Sequence, residues 1–314
     1  HTSTATVAVL PEADDVEVIY LSLPNDDHLP WVLTALEAGK HVICEKPLAR
    51  TVEEAAAMYE AARKSNSVNM VAFNYRRTPA VALAKKYIED GSIGRIINFR
   101  ATYLQDWSAD PNSPLSWRFQ KSVAGSGAVG DILTHVLDMA RYLAGEVTEV
   151  SAMTNNIITE RPIQQSGSDS LGNSKGGADA PKGHVDVEDE VLSMLKFASG
   201  AIGSVEATRN AWGRNNHITL EIHGTKGSIH FNYERRDELQ VMFADDPADA
   251  RGFRTIYTGP AHPYGSGLWP IPGLGIGYSE MHDENTSGAS VFASAKNSDF
   301  FQVGGYAQHV ATGL

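Results

Sequence analysis

The sequence predicts a two-part α/β chain: a parallel strand–helix unit followed by an α+β domain built on a large, mainly antiparallel sheet. Three observations predict it. Over the first 74 residues, short apolar runs alternate with helical patterns across short links, as parallel strands with crossover helices require. From about residue 218, apolar and polar residues alternate with period two in successive segments broken by turns, the pattern of an antiparallel sheet with one buried face. The length, 314 residues, suits about two domains.

The elements follow in order. Val16–Leu23 is a buried strand, stopped by Pro24 and Asn25. Leu29, Val32, Leu33 and Leu36 fall at helical spacing, and Gly39 ends that helix. His41–Cys44 (HVIC) is a second strand. Thr51, with Glu54 three residues on, has capping-box spacing and opens a helix to about Lys64. Asn69–Phe73 is a third strand, and a helix over 80–89 leads to a strand at Arg95–Leu104. Residues 106–130 form a loop containing Trp, Pro and Gly, and Asp131–Leu143 is strongly helical. Residues 161–186, without an aromatic side chain and rich in Gly, Ser and Asp, read as a flexible excursion between strands. Ile218, Leu220 and Ile222, then Ile229, Phe231 and Tyr233, then Leu239, Val241 and Phe243 face one side of the expected sheet. The domain boundaries expected are 1–77, 78–280 and an irregular tail at 281–314.

Composition narrows the function. The net charge of −12, from 26 basic and 38 acidic residues, argues against non-specific binding to nucleic acid or anionic membranes. No run of 18 apolar residues occurs, so no membrane-spanning helix is expected. A single cysteine, Cys44, excludes an intrachain disulfide framework, fits a reducing cytoplasm, and reads as a buried strand residue.

Several short motifs bear on chemistry. Glu45-Lys46-Pro47 follows a parallel strand at its carboxyl end, where α/β folds place ligands; on the tripeptide alone, Lys46 reads first as a solvated loop lysine. Asp131 and His135 are four residues apart on a mostly apolar helix, so they share a narrow polar stripe that continues through Asp138 and Tyr142. That stripe either lines a cleft or faces solvent. Gly125-Ser126-Gly127-Ala128-Val129-Gly130 matches the dinucleotide fingerprint G-x-G-x-x-G, but no buried strand precedes it, so it is expected to be a flexible loop. Tyr103, Gln105, Trp107, Trp117 and Arg118 suit a sugar ring, with apolar faces and a polar rim, or equally a core aromatic cluster. His282, Asp283 and Glu284 are adjacent and cannot converge on one metal ion, so no metal is expected.

These pieces in this order resemble the glucose–fructose oxidoreductase, inositol dehydrogenase and rhizopine catabolism (Gfo/Idh/MocA) family. The resemblance rests on Ser22-Leu23-Pro24-Asn25 with His28, Glu45-Lys46-Pro47, Trp117-Arg118, and Gly130-Asp131 with His135, and it spans about residues 5–280. Stretches such as HVICEKPLART and TYLQDWSADPNSPLSWRFQKS are similar to the family's sugar 3-dehydrogenases. The resemblance implies oxidation of a ring secondary alcohol of a sugar or anhydrosugar, of the levoglucosan type, by a nicotinamide cofactor. It makes Lys46, Asp131 and His135 the catalytic set. His135 is the preferred base, Asp131 orients the hydroxyl or imidazole, and Lys46 stabilises developing alkoxide charge. It sets Pro24, Asn25, His28, Glu45, Lys46 and Asn74, with Trp117 and Arg118, along NAD, with NADP as the alternative cofactor. Tyr103, Gln105 and Trp107 join Asp131 and His135 as sugar-pocket residues, with Tyr75 and Arg76 weaker ones. A homo-oligomer, dimer or tetramer, is expected through an exposed sheet face.

The parallel unit resembles the second half of a Rossmann-type domain, so an N-terminally incomplete Rossmann-type unit is expected from a chain that starts at His1. The pyrophosphate-binding first half does not precede Val16, and weak or no NAD binding by these 314 residues alone is expected. The alternative is a non-catalytic sugar-binding or sensing family member.

Overall fold

The computed structural model describes residues 16–163 and 180–265, together with the backbone of Val291–Ala293 and Phe301–Val303. The described residues fall into two compact units. One holds residues 16–74 with Ser122–Gly125; the other holds 75–121 and 126–163 with 180–265.

The first unit runs β1 (Val18–Leu21), α1 (His28–Glu37), β2 (His41–Cys44), α2 (Val52–Lys64) and β3 (Asn69–Val71). Its three strands are parallel in the order β1-β2-β3, with Leu21 opposite Cys44 and Cys44 opposite Val71. The outer strands are shorter than their apolar runs: the ladders end at Leu21 and Val71, both opposite Cys44. Ile19, Leu21, Val42 and Cys44 bury against Val32, Leu36 and Met58 of the two helices. At the start of α2, Thr51 accepts from the Glu54 amide at 3.2 Å. The Glu54 carboxylate reaches one residue further back, to the Arg50 amide at 3.0 Å and the Arg50 guanidinium.

The second unit is built on an eight-stranded sheet with helices on its inner face, beside a separate two-stranded ribbon. Its elements are α3 (Pro79–Glu89), β4 (Ile96–Leu104), α4 (Thr134–Ala144), β5 (Val147–Asn155), β6 (Glu160–Pro162) and β7 (Lys182–His184). Then come β8 (Glu190–Phe197), β9 (Ile202–Thr208), β10 (His217–Gly224), β11 (Gly227–Asn232), β12 (Glu238–Phe243) and β13 (Arg254–Tyr257). The order is β13-β12-β11-β10-β4-β9-β8-β5. Every pairing is antiparallel except β4 with β9, which run parallel with Asn98 opposite Ile202. β8 shows the alternation plainly: Val191, Leu195 and Phe197 are buried, while Leu192 and Met194 are exposed. α3 and α4 pack on the inner face over Phe99, Leu220, Ile229 and Val241.

Three expectations change. The helix expected to begin at Asp131 begins with a π-helical turn, Val129–Leu133, before α4 proper. The expected excursion at 161–186 is ordered at both ends: β6 pairs with β7, Arg161 is fully buried, and Val185 and Val187 pack with Phe119. Its middle, residues 164–179, lies outside the described residues. Within the expected irregular tail, Val291–Ala293 pairs antiparallel with Phe301–Val303. The rest of that tail, including His282, Asp283 and Glu284, lies outside the described residues.

Candidate active site

In the first unit, the carboxyl ends of the parallel strands carry the polar residues. Leu23, Pro24 and Asn25 follow β1, and the Asn25 amide donates to the Ala124 carbonyl at 2.8 Å. Glu45, Lys46 and Pro47 follow β2, with a cis Lys46–Pro47 bond. The Glu45 carboxylate is fixed from two sides, by the Tyr20 hydroxyl at 2.5 Å and the Lys46 amide at 3.1 Å. His28, expected along the cofactor, is fully buried. Its Nδ1 lies 3.0 Å from the Pro47 carbonyl and its Nε2 3.0 Å from the Leu23 carbonyl. It therefore braces the loop that carries Lys46 against the end of β1, with neither ring nitrogen turned to solvent. Asn74, beyond β3, is buried, and both its amide atoms lack a hydrogen-bond partner. An enclosed carboxamide without partners is costly unless a ligand satisfies it. This donor and acceptor at a strand end fit the amide and hydroxyl groups of a nicotinamide nucleoside.

Cys44 is buried in β2, and burial, with Glu45 beside it, holds its thiol far above the ordinary value. It is no nucleophile.

In the second unit, an aromatic and polar cluster gathers where β4 ends. His135, on α4, is buried with its ring edge-on to Tyr75 at 4.7 Å and 5.9 Å from Tyr103. Tyr75 also packs edge-on against Tyr233 at 5.0 Å. The Tyr75 and Tyr103 hydroxyls hydrogen-bond at 2.8 Å. Gln105 Nε2 donates to the Tyr103 hydroxyl at 3.2 Å and to Asn216 at 3.3 Å, and Trp107 Nε1 donates to Gln105 Oε1 at 2.9 Å. Burial, the Tyr75 hydroxyl beside it and the nearby Asp131 charge push the Tyr103 phenol well above its ordinary range. Asp131 sits in the π-turn, an irregularity frequent at functional sites, and accepts from the buried Arg209 guanidinium at 3.3 Å.

Some expected members sit elsewhere in the network. Tyr103 lies in the core rather than at a surface, and Arg76 pairs with Asp138 and stacks on Tyr142. Trp117 and Arg118 stack on each other at 4.5 Å. Arg209, Tyr233 and Asn216 belong to the cluster and were not expected. Tyr233 carried only its inward sheet phase as a signal, and Arg209 and Asn216 sit in a polar stretch that reads as surface loop.

The glycine-rich stretch is pinned rather than flexible. Gly127 and Val129 amides both donate to Glu188 Oε1, at 2.8 and 2.9 Å, and the Ala128 amide donates to the Glu188 carbonyl. A Cβ on Gly127 would lie 1.8 Å from that carbonyl. Its amides hold a protein carboxylate, so this stretch is no pyrophosphate cradle. Among the described residues no group of His, Cys, Asp and Glu is placed to hold a metal, and no helix is long and apolar enough to cross a membrane.

A parallel unit with polar strand ends, followed by an open sheet that carries an Asp–His pair among tyrosines, defines the class of a nicotinamide-dependent oxidoreductase with a second, sheet-based domain. Residues 2–73 match the model of the oxidoreductase family with an NAD-binding Rossmann fold, and residues 81–230 match the GFO/IDH/MocA C-terminal domain. The chain belongs to the GFO/IDH/MocA family of oxidoreductases. It is 68% identical over 278 residues to levoglucosan dehydrogenase from Pseudarthrobacter phenanthrenivorans, covering 88% of this chain and 71% of that protein. It is 32% identical to 1,5-anhydro-D-fructose reductase from Ensifer adhaerens, over 72% of this chain and 60% of that enzyme. Among solved structures, levoglucosan dehydrogenase in complex with NADH and levoglucosan superposes with a TM-score of 0.79 at 66% identity, covering 87% of this chain and 69% of that one.

Proposed function

We propose that this protein oxidises a ring secondary alcohol of a sugar or anhydrosugar, of the levoglucosan type, to the ketone, with NAD as the hydride acceptor. The observation that carries the reading is the Asp131–His135 cluster, enclosed by tyrosines in a chain 68% identical to an enzyme named levoglucosan dehydrogenase. NAD, when bound, takes the hydride at nicotinamide C4. The residues proposed to hold it are Pro24, Asn25, Glu45, Lys46 and Asn74, with Trp117 and Arg118; the orphaned Asn74 amide supports this. His28 is proposed to hold the shape of the Lys46 loop.

Alcohol oxidation removes a proton from oxygen and a hydride from carbon. His135 is the proposed base for the proton, because an imidazole titrates near neutrality. Its ring packs edge-on against Tyr75, which restricts how the imidazole can turn. Asp131 orients the hydroxyl or the imidazole, and Lys46 offsets negative charge as the alkoxide develops. Gln105 and Trp107 are proposed sugar contacts, with Tyr103 holding Gln105 from behind.

The outer sheet face exposes Met153, Leu192, Met194 and Ile202 on β5, β8 and β9, with Met153 directly opposite Leu192. Such an apolar patch supports a homo-oligomer built on that face. The lone cysteine, a buried thiol, supports a cytoplasmic location.

The test is a panel of sugars and anhydrosugars assayed with the purified protein for reduction of NAD at 340 nm. Sugar-dependent NADH formation, strongest with 1,6-anhydrosugars, is expected. Sugar binding without turnover would replace the proposal with the sensing alternative.

A further inference from the structure

The largest fully enclosed side chains of the second unit are charged: Arg161 and Arg209, each without exposed surface. Arg161 donates to the carbonyls of Asp110 at 2.9 Å and Ser108 at 2.5 Å and lies 4.2 Å over the Phe119 ring. Burial draws its pKa down to about 10; the Asp189 carboxylate opposes that shift and the Arg209 charge adds to it. Arg209 follows β9 directly, and its own carbonyl is held by the Ser108 amide and hydroxyl. Its guanidinium lies 5.2 Å from the Trp107 ring centre and 5.3 Å from that of Phe119.

A guanidinium carries five N–H donors in a rigid fork. Here Nη1 donates to Asp131 Oδ2, while Nε and Nη2 are buried without a hydrogen-bond partner. A buried cation so sparsely satisfied is poor stabilising material, since an apolar side chain of similar volume would serve the core as well or better. What Arg209 does supply is a cation against the Asp131 carboxylate. Its seat beside two aromatic rings shields the guanidinium from water on its own side of that contact.

We propose that Arg209 is a positioning residue for the reaction: it fixes the orientation of the Asp131 carboxylate and keeps it ionised, and it acts only through Asp131. The proposal rests on the dehydrogenase reading above. Other charged or titratable groups around the pair are Tyr103, Tyr75 and His135 on the inner face, Arg161 behind Phe119, and the buried Asp189, whose carbonyl accepts from the Arg209 amide at 3.3 Å and whose carboxylate accepts from the Ile157 and Ile158 amides.

The test is a double-mutant cycle in the intact protein, read as kcat and sugar KM, with R209M, D131N and the double variant. R209M should lower kcat by about 10²-fold, the usual penalty for a catalytic group misplaced by an ångström, with a much smaller change in sugar KM. R209K should recover part of the loss, because it restores charge without the planar fork. In the D131N background, R209M should cost nothing further. Thermal melts check folding, and if R209M does not fold, R209K with D131N completes the cycle. Losses that multiply across the two positions would overturn the assignment of Arg209 while leaving the dehydrogenase intact. A wild-type protein that reduces no NAD with any sugar would overturn the functional reading, and the Arg209 assignment with it.

Discussion

Replacing Gly127 with Ala separates the two roles that a glycine-rich stretch can play. The new Cβ would sit 1.8 Å from the Glu188 carbonyl oxygen and 3.0 Å from the Glu188 nitrogen, both backbone atoms. Ordinary contact needs about 3.4 Å, so one strand of the contact must retreat by more than an ångström. That retreat strains or breaks the Ala128 amide bond to the same carbonyl, now 2.9 Å. It also pulls the Gly127 and Val129 amides from the Glu188 carboxylate. Overpacking costs roughly 1–3 kcal/mol, and hydrogen bonds to a charged group about 1.5–3 kcal/mol each. With partial relaxation the sum is ~3–5 kcal/mol, which for a unit of this size lowers the melting temperature by roughly 6–20 °C. Differential scanning calorimetry reads it directly. NADH affinity, measured by fluorescence titration on the folded variant, should be unchanged. An unaltered melting temperature with NADH binding weakened tenfold or more would refute the reasoning and return the stretch to the role of a nucleotide fingerprint.

Three further outcomes are expected. His135→Ala should reduce turnover by ~10²-fold or more, the usual contribution of a general base; steady-state kinetics with unchanged kcat would remove His135 from the mechanism. Cys44 should resist a thiol-specific disulfide reagent at pH 8 and react fully after denaturation, because burial holds its thiol well above the ordinary range. The hydrogen-bonded Arg50 guanidinium holds the Glu54 carboxyl below its usual value. The stability Glu54 adds is therefore present above the ordinary carboxylate range and lost as pH falls through its folded value. Glu54→Gln should accordingly destabilise the protein in urea at pH 7, and the difference should shrink as the pH falls below the ordinary carboxylate range.

The local rules carried the reading a long way. HVIC was legible to the residue because a short apolar run between Gly39 and Pro47 leaves a strand no room to slide. The inward phase of Ile218, Leu220 and Ile222 followed from period two alone. What escaped were features fixed by distant partners. Nothing near Asp131 marks a π-turn, because an extra residue in the turn leaves the apolar spacing almost unaltered. Arg161 and Arg209 carry the residue type least expected inside. Their enclosure is set by Phe119, Trp107 and the carbonyls of a loop some 50 to 100 residues away. His28 lies among the strand-end residues, yet its burial makes it a brace rather than a residue that faces a ligand.

The single parallel seam between β4 and β9 has a consequence for how the chain comes into being. β4 lies in the middle of the sheet, flanked by β9 and β10, and both neighbours are made about 100 residues after it. At roughly 5–20 residues per second, a ribosome takes about 5–20 s to deliver them. For that interval β4, with Phe99 and Tyr103 destined for the core, has both edges unpaired. The sheet closes late and around its oldest strand, so the nascent chain's exposure to aggregation is concentrated on one nine-residue segment.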